Sequence, residues 1–426
     1  MQPFRTRQPL LHNDSVVCAK DCYQDLDATA QRGDFRAENR LNAMSAHRTF
    51  LVFLVSLAGG SAALSAADAA AVPERRPKPQ SERVLLSSSD PAFQAAPYLA
   101  FPAVLDLGHE LLISFKHGRS HANDPGASLD LLRFDPTTGQ QSGPRPIARL
   151  AERIMQMGEW ARFANGDIAN YIDAQQAKEP ARVGLRMVRS TDGGRTFGPL
   201  ERVGVIDGVE YGYAFDAITA GGETWLLVMT FSNLTGGVSI HPPRPQAGPV
   251  DVIHTTDNGR TWHRVRSLTR EFGNVPINES AFVRFNDGFL VTTRGYDNRE
   301  RLHVTDAQFH VLGQSELNRK HPFVMNYVGR PRLFAREGRI YLLGRNWTRR
   351  GPMQLCLFRL DATGLEVESY AILDNAADNN VTDGYYAAGV FRGTGSDTRF
   401  HVVTYRGLDR QPPSLVQLEF LWSEAK

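Results

Sequence analysis

Two stretches of this chain spell nearly the same eight-residue turn. Ser190-Thr-Asp-Gly-Gly-Arg-Thr-Phe197 and Thr255-Thr-Asp-Asn-Gly-Arg-Thr-Trp262 both read S/T-x-D-x-G-x-T-W/F, known as an Asp-box. The pattern is a local fastener. The Asp carboxylate accepts backbone N–H groups inside the turn, the Gly takes a left-handed conformation, and the aromatic packs between sheets. Degenerate copies follow at Phe134-Asp-Pro-Thr-Thr-Gly139, Val304-Thr-Asp306 and Arg359-Leu-Asp-Ala-Thr-Gly364. Such a turn joins two antiparallel strands, so its repetition predicts repeated small sheets.

A second series has a period of about 50 to 65 residues, the span of one small β-sheet with its turns. Six segments open with Gly, Asn-Gly, Asp-Gly or a near relative and run into β-branched or aromatic residues: 105–118, 163–174, 218–231, 284–295, 334–345 and 391–407. Gly and Asn supply the positive φ of tight hairpins. No window sustains a 3.6-residue apolar period long enough for several helices, so α/β barrels and Rossmann folds are poor fits. The expected fold is therefore all-β, a six-bladed β-propeller of four-stranded antiparallel blades, with a pair of β-sandwiches as runner-up.

Outside the repeats, the segment from Met44 has a short basic start (His47, Arg48), an apolar stretch from Phe50 to Leu57 and an Ala-rich exit ending at Ala71. That is the grammar of a signal peptide, and the apolar stretch falls short of the ~20 residues a membrane span needs. The expected layout is a disordered or untranslated extension at 1–43, a signal peptide at 44–71, a Pro- and Arg-rich linker at 72–84 and the propeller at 85–426. The protein is then secreted or periplasmic.

Composition removes other functions. A net charge of +2 over 426 residues, without long single-sign runs, leaves no electrostatic footprint for a nucleic acid. Of three cysteines, Cys18 and Cys22 have no second pair to complete a zinc site, and Cys356 lies in an apolar run that suits burial. Neither a metal nor another cofactor is expected.

With its Asp-boxes and six repeats, the chain resembles the sialidase superfamily from about Ser87 to the C-terminus. The Asp-box marks that fold and not an activity. Members that cleave sialic acid use a tyrosine nucleophile paired with a glutamate, an aspartate acid/base and three arginines around the substrate carboxylate. A phenol is a weak nucleophile until a carboxylate takes its proton, and guanidinium forks grip a carboxylate by paired, charge-assisted bonds.

The resemblance implies these roles residue by residue. In the loop Phe115-Lys-His-Gly-Arg-Ser-His-Ala-Asn-Asp124, Arg119 and Asp124 stand where the family has an arginine and its acid/base; Asp124, before Pro125 and Gly126, is equally placed to cap a turn. Asn278-Glu279-Ser280 resembles the glutamate segment. Arg294 follows at the end of the next strand, with Arg299 and Arg301 competing for its role. Arg350 is taken as the next arginine, with Arg345 and Arg349 equally reachable. Asp383-Gly-Tyr-Tyr-Ala387 resembles the nucleophile segment, with Tyr386 at the reactive place and aromatic packing as the other reading.

One departure stands out. The family opens its first blade with an Arg two residues before a Pro, and here Ala100 precedes Phe101-Pro102. Lys116 or Arg119 would have to compensate, or the sugar is not sialic acid.

The implied function is an exo-acting glycoside hydrolase that releases sialic acid or a related acidic sugar from a glycan. Tyr386, Glu279 and Asp124 would be catalytic, and Arg119, Arg294, Arg350 and His121 would bind substrate. Two other functions remain. One is a propeller acting on another acidic glycan such as a uronide, by hydrolysis or elimination, with His117 and His121 as acid/base candidates because imidazole titrates near neutral pH. The other is a non-catalytic propeller that binds glycans or proteins at its channel face.

Overall fold

The structure is a computed structural model, and it describes residues 72–176, 182–231, 247–348 and 351–426. The proposed extension and signal peptide, residues 1–71, lie outside the described residues, as does Arg350.

Six antiparallel sheets follow one another along the chain. Blade one is Tyr98–Asp106, Leu111–Gly118, Ser128–Phe134 and Arg145–Ala148. Blade two is Arg153–Arg162, Ile168–Gln176, Arg186–Ser190 and Glu201–Arg202. Blade three is Val209–Ala220, Glu223–Phe231, Ala247–Thr255 and His263–Ser267, with Val205–Ile206 folded back on its first strand. Blade four is Ile277–Phe285, Gly288–Gly295, Glu300–Thr305 and Val311–Glu316; blade five is Tyr327–Arg336, Arg339–Trp347, Met353–Leu360 and Val367–Asn375. Blade six has an inner strand split into Val381–Gly384 and Ala388–Arg392, followed by Arg399–Leu408 and Ser414–Leu421.

The first strands of blades one to five touch in chain order, Arg339–Trp347 of blade five meets Ala388–Arg392 of blade six, and blade six closes onto blade one. The fold is thus the expected six-bladed propeller. All six Gly- and Asn-bearing segments fall at the hairpin from first to second strand, and both full Asp-boxes join third to fourth strand.

The expected linker is the main departure. Ser81–Leu86 pairs with Ser414–Leu421 as the outer strand of blade six, and Glu74–Arg75 adds in parallel to Val367–Asn375 of blade five. The ring is therefore closed by the N-terminal segment. Its strand faces solvent over most of its length, with only Leu85 and Leu86 buried, so its composition stays polar while its backbone completes the sheet.

The Asp-boxes clamp neighbouring blades. In the second box, Asp257 accepts from Thr255 Oγ1 (2.8 Å), Thr261 N (2.9 Å) and Thr261 Oγ1 (2.6 Å), which holds its carboxyl well below the usual carboxylate range. Asp192 repeats the pattern with Ser190 and Thr196. Trp262 then lies edge-on to Tyr171 of blade two, with ring centroids 5.9 Å apart, a burial that contributes about 2 kcal/mol. A Cβ on Gly259 would sit 2.4 Å from Phe163 Cζ, so only glycine allows this approach.

What positions the site is a break in register at the same level of the inner strands. Shifts fall between Ala100 and Ala103, Tyr211 and Tyr213, Ile277 and Ser280, and Gly329 and Arg332. Phe101 (φ 58°), Arg330 (φ 46°) and Tyr385 (φ 73°) are left-handed there, a conformation that costs about 1–3 kcal/mol in a residue with a side chain. Bulges of this kind re-aim side chains, and here they turn Phe101, Tyr213, Glu279, Arg330 and Tyr386 toward one another. Among the described residues no helix is long and apolar enough to cross a membrane.

Candidate active site

Tyr386 and Glu279, 107 positions apart in sequence, meet at the channel: Tyr386 Oη donates to Glu279 Oε2 at 3.0 Å. The same carboxylate oxygen accepts from Arg294 Nη1 (2.6 Å) and the Arg330 backbone N–H (3.1 Å), and Oε1 accepts from Tyr213 Oη (3.0 Å). Burial alone would raise the Glu279 carboxyl, but the charges of Arg294, Arg330 and Arg345 outweigh it and hold the group at about 2. Burial first, and then the Glu279 charge, pushes the Tyr386 phenol above its usual range.

Two guanidiniums converge on the phenol. Arg294 Nη1 lies 3.4 Å from Tyr386 Oη and Arg345 Nη2 lies 3.2 Å from it, with the Arg345 guanidinium 4.4 Å over the Tyr386 ring. Gly329 makes room for this stack, since a Cβ there would come within 3.1 Å of both Arg345 Nε and Tyr386 Cε1. Arg294 also rests 3.9 Å over the Tyr327 ring. Arg294 is paired with Glu279, whereas among the described residues no carboxylate reaches Arg345 within 4.0 Å. Arg345 Nε is buried without a partner.

Beneath this layer the channel is closed by charge. Arg330 Nη2 donates to Glu159 Oε2 at 2.6 Å and Arg330 Nη1 to Tyr213 Oη at 3.1 Å, tying blade five to blades two and three. Arg332 bridges Glu159 (2.7 Å) and Asp216 (3.2 Å), and Asp216 accepts the Phe282 N–H of blade four. Buried charges persist only when paired, and here each carboxylate has at least one arginine.

The blade-one loop forms a separate cluster beside the site. Asp124, only 2% exposed, accepts from Arg119 N (2.6 Å), Arg119 Nε (3.2 Å) and Ser120 N (3.3 Å). The two backbone bonds cap the turn and the Nε bond is an ion pair within the same loop, and no hydrogen bond joins Asp124 or Arg119 to Tyr386 or Glu279. His121 does face the mouth: its Nδ1 lies 2.8 Å from Tyr98 Oη and 3.3 Å from Asp383 Oδ2. His117 is turned away, with Nδ1 2.7 Å from Asp130. Lys116 is buried and donates to the His121 carbonyl and to Gln156, so it braces the loop; burial brings its ammonium down to about 8.

Of the residues singled out in the sequence, Tyr386, Glu279 and Arg294 come together, His121 stands at the rim, and Asp124 and Arg119 stay within their loop. The place next to the absent first arginine is filled by Phe101, whose ring packs 5.7 Å from Tyr386, 5.1 Å from His121 and 5.3 Å from Tyr405. Arg330, Glu159, Tyr213 and Asp383 went unassigned. The sequence did carry a sign of one of them: Arg330-Pro331-Arg332 places a proline and two charges inside a strand, which marks a bulge.

No family model matches the chain, and no curated protein matches it. Solved structures do. One is a protein of unknown function from Dyadobacter fermentans, 15% identical, with a TM-score of 0.60 over 80% of this chain and 98% of that one. Trypanosoma rangeli sialidase in complex with sialic acid is 10% identical, with a TM-score of 0.53 over 83% of this chain and 60% of that one. Penicillium chrysogenum α-L-arabinanase complexed with arabinobiose is 11% identical, with a TM-score of 0.51 over 82% of this chain and all of that one. At these identities the likeness is one of fold, and it is the sialidase-like propeller fold that the Asp-boxes indicated.

Proposed function

We propose that this protein is an exo-acting glycoside hydrolase of the sialidase type, acting on a sugar that carries a carboxylate. The observation that carries the reading is the convergence of Arg294 and Arg345 on a phenol already hydrogen-bonded to Glu279. In the free protein the proton stays on Tyr386, because the phenol is pushed up and the carboxyl is held down. Transfer to Glu279 belongs to the moment when the phenolic oxygen bonds to the anomeric carbon and ceases to be a strong base. The unpaired Arg345 charge, with Arg294 beside it, suits a substrate carboxylate.

The apolar Phe101 favours an acidic sugar that needs two arginines instead of three, such as a uronide, over sialic acid itself. Fluorogenic sialosides and uronides separate the two substrates. In either case Tyr386→Phe is expected to abolish release of the fluorophore, and wild-type turnover in that variant would end the proposal. Binding of these sugars without any turnover by the wild type would instead support the non-catalytic function.

A further inference from the structure

A hydrolase of this kind needs a group to protonate the departing glycosidic oxygen, and Asp124, tied to its own loop, is badly placed for it. His121 stands three residues away at the mouth, with 49% of its side chain exposed, beside Asp383 at 26%. Phe101 separates and touches both the His121 and Tyr386 rings, so the imidazole flanks the phenol across one aromatic side chain.

Hydrogen counting fixes which imidazole nitrogen is available. Tyr98 Oη lies 2.6 Å from Asp383 Oδ2 and 2.8 Å from His121 Nδ1. A phenol has one hydrogen. Burial alone would raise the Asp383 carboxyl, but His121, the Tyr98 hydrogen bond and the Arg345 charge bring it to about 2, so it is ionised and takes the Tyr98 hydrogen. The Tyr98 oxygen can then only accept, and Nδ1, which also faces the Asp383 oxygen, must carry a hydrogen. Nε2 is left as the working nitrogen.

The loop holds the ring in place. Lys116 Nζ (3.0 Å) and Gln156 Nε2 (2.9 Å) both donate to the His121 carbonyl, and Asp124 gathers the Arg119 and Ser120 N–H groups. Tyr405 Oη holds the other Asp383 oxygen at 3.2 Å.

We infer that His121, oriented by Tyr98 and Asp383, is the proton-transfer residue of this site. The inference rests on the hydrolase reading above. In the first half-reaction, imidazolium Nε2–H gives its proton to the glycosidic oxygen as the C–O bond breaks toward that oxygen. Tyr386 Oη bonds to the anomeric carbon while its proton passes to Glu279. In the second half-reaction, neutral Nε2 takes a proton from water, whose oxygen displaces Tyr386 Oη, and Glu279 returns the proton to the phenol. One glycoside and one water yield a reducing sugar and an alcohol.

The test compares His121→Gln with wild type on the methyl and 4-nitrophenyl glycosides of the acidic sugar that the fluorogenic panel identifies. Loss of a general acid costs about 10²–10⁴-fold where the leaving group needs a proton. The expected result is a kcat/KM loss in that range on the methyl glycoside, with a kcat/KM loss below ~10-fold on the nitrophenyl one, because this ratio reports the half-reaction in which the leaving group departs. Asp383→Asn, which keeps the imidazole, should show the same selectivity in smaller degree. Equal losses on both glycosides, with Tyr386→Phe silent, would overturn this inference alone, whereas an active Tyr386→Phe would overturn the reading beneath it. Independently of turnover, ¹⁵N NMR of labelled histidine should show His121 as the Nδ1–H tautomer, and an Nε2–H tautomer would refute the orientation.

Discussion

Replacing Glu279 with glutamine changes one charge and almost no volume, and its effect can be worked out from the four donors around the carboxylate. Arg294 Nη1, the Arg330 N–H, Tyr386 Oη and Tyr213 Oη all point hydrogens at it. An amide presents its own N–H₂ to donors on one side and leaves the Arg294 and Arg345 charges without a compensating anion. The carboxyl falls from 4.5 to about 2 in the folded protein. A lowering of that size is worth about 3 kcal/mol at neutral pH. Because the folded value is the depressed one, this stabilisation is present above about pH 4.5 and fades as pH falls toward 2, leaving roughly 1 kcal/mol at pH 3. Glu279→Gln should therefore melt about 6 °C below wild type at pH 7, at roughly 2 °C per kcal/mol for a large domain. The two melting curves should draw together below pH 4.5. Calorimetry of both proteins from pH 7 to pH 3 reads this directly, and other titrating carboxylates cancel in the difference. A gap that stays constant with pH, or no gap at neutral pH, would show that the arginines do not hold Glu279 as described.

Arg345→Met should separate function from stability. The cation has no ion pair among the described residues and a buried Nε without a partner, but its charge is one of three that hold Glu279 down, so Tm should fall by no more than about 2 °C while KM for an acidic glycoside rises by about 10²-fold. Gly259→Ala should cost about 2–3 kcal/mol in urea denaturation, from the positive φ and the contact with Phe163 together, whereas Gly208→Ala, at φ 80° with open space around it, should cost only about 1 kcal/mol. Chains beginning at residue 72 and at residue 87 should differ sharply. The shorter one exposes the edge of Ser414–Leu421 and should aggregate in size-exclusion chromatography, while the longer one should elute as a folded protein.

Much of the scaffold was legible because its signals are local. The Gly and Asn turns fix hairpins by φ alone, and the Asp-boxes carry their hydrogen bonds within eight residues. Sequence could not show that Ser81–Leu86 closes the ring, since an outer strand exposed along most of its length needs no apolar alternation and reads as a polar linker. In the site, Tyr386, Glu279 and Arg294 were reachable through resemblance because each lies in a short segment or at a spacing that the family shares. Arg345 could not be told from Arg349 or Arg350 without the register that sets it opposite Gly329. Asp124 shows the opposite hazard: its spacing fits a family role, but the Pro125-Gly126 turn and the Arg119 and Ser120 N–H groups claim the carboxylate. Phe101-Pro102 and Arg330-Pro331 were readable signs of bulges, and both mark residues that shape the channel.

The vertical order of charge explains why this channel would select an anion. At its floor Arg330 and Arg332 are matched by Glu159 and Asp216 across three blades. One layer up, Glu279 pairs with Arg294 and also accepts the Arg330 backbone N–H. At the level of Tyr386, Arg345 contributes a charge with no carboxylate in ion-pair reach among the described residues. The ionised Asp383 feels the Arg345 charge only from beyond ion-pair reach, so a bound carboxylate would give Arg345 a close anion that no described residue supplies. The layers are also coupled, because Arg330 contributes both to the floor and to the field that holds Glu279 down. Removing the Arg330 charge would therefore raise the Glu279 carboxyl from below and alter the proton acceptor for Tyr386, although Arg330 itself is sealed from any substrate, at 3% exposure.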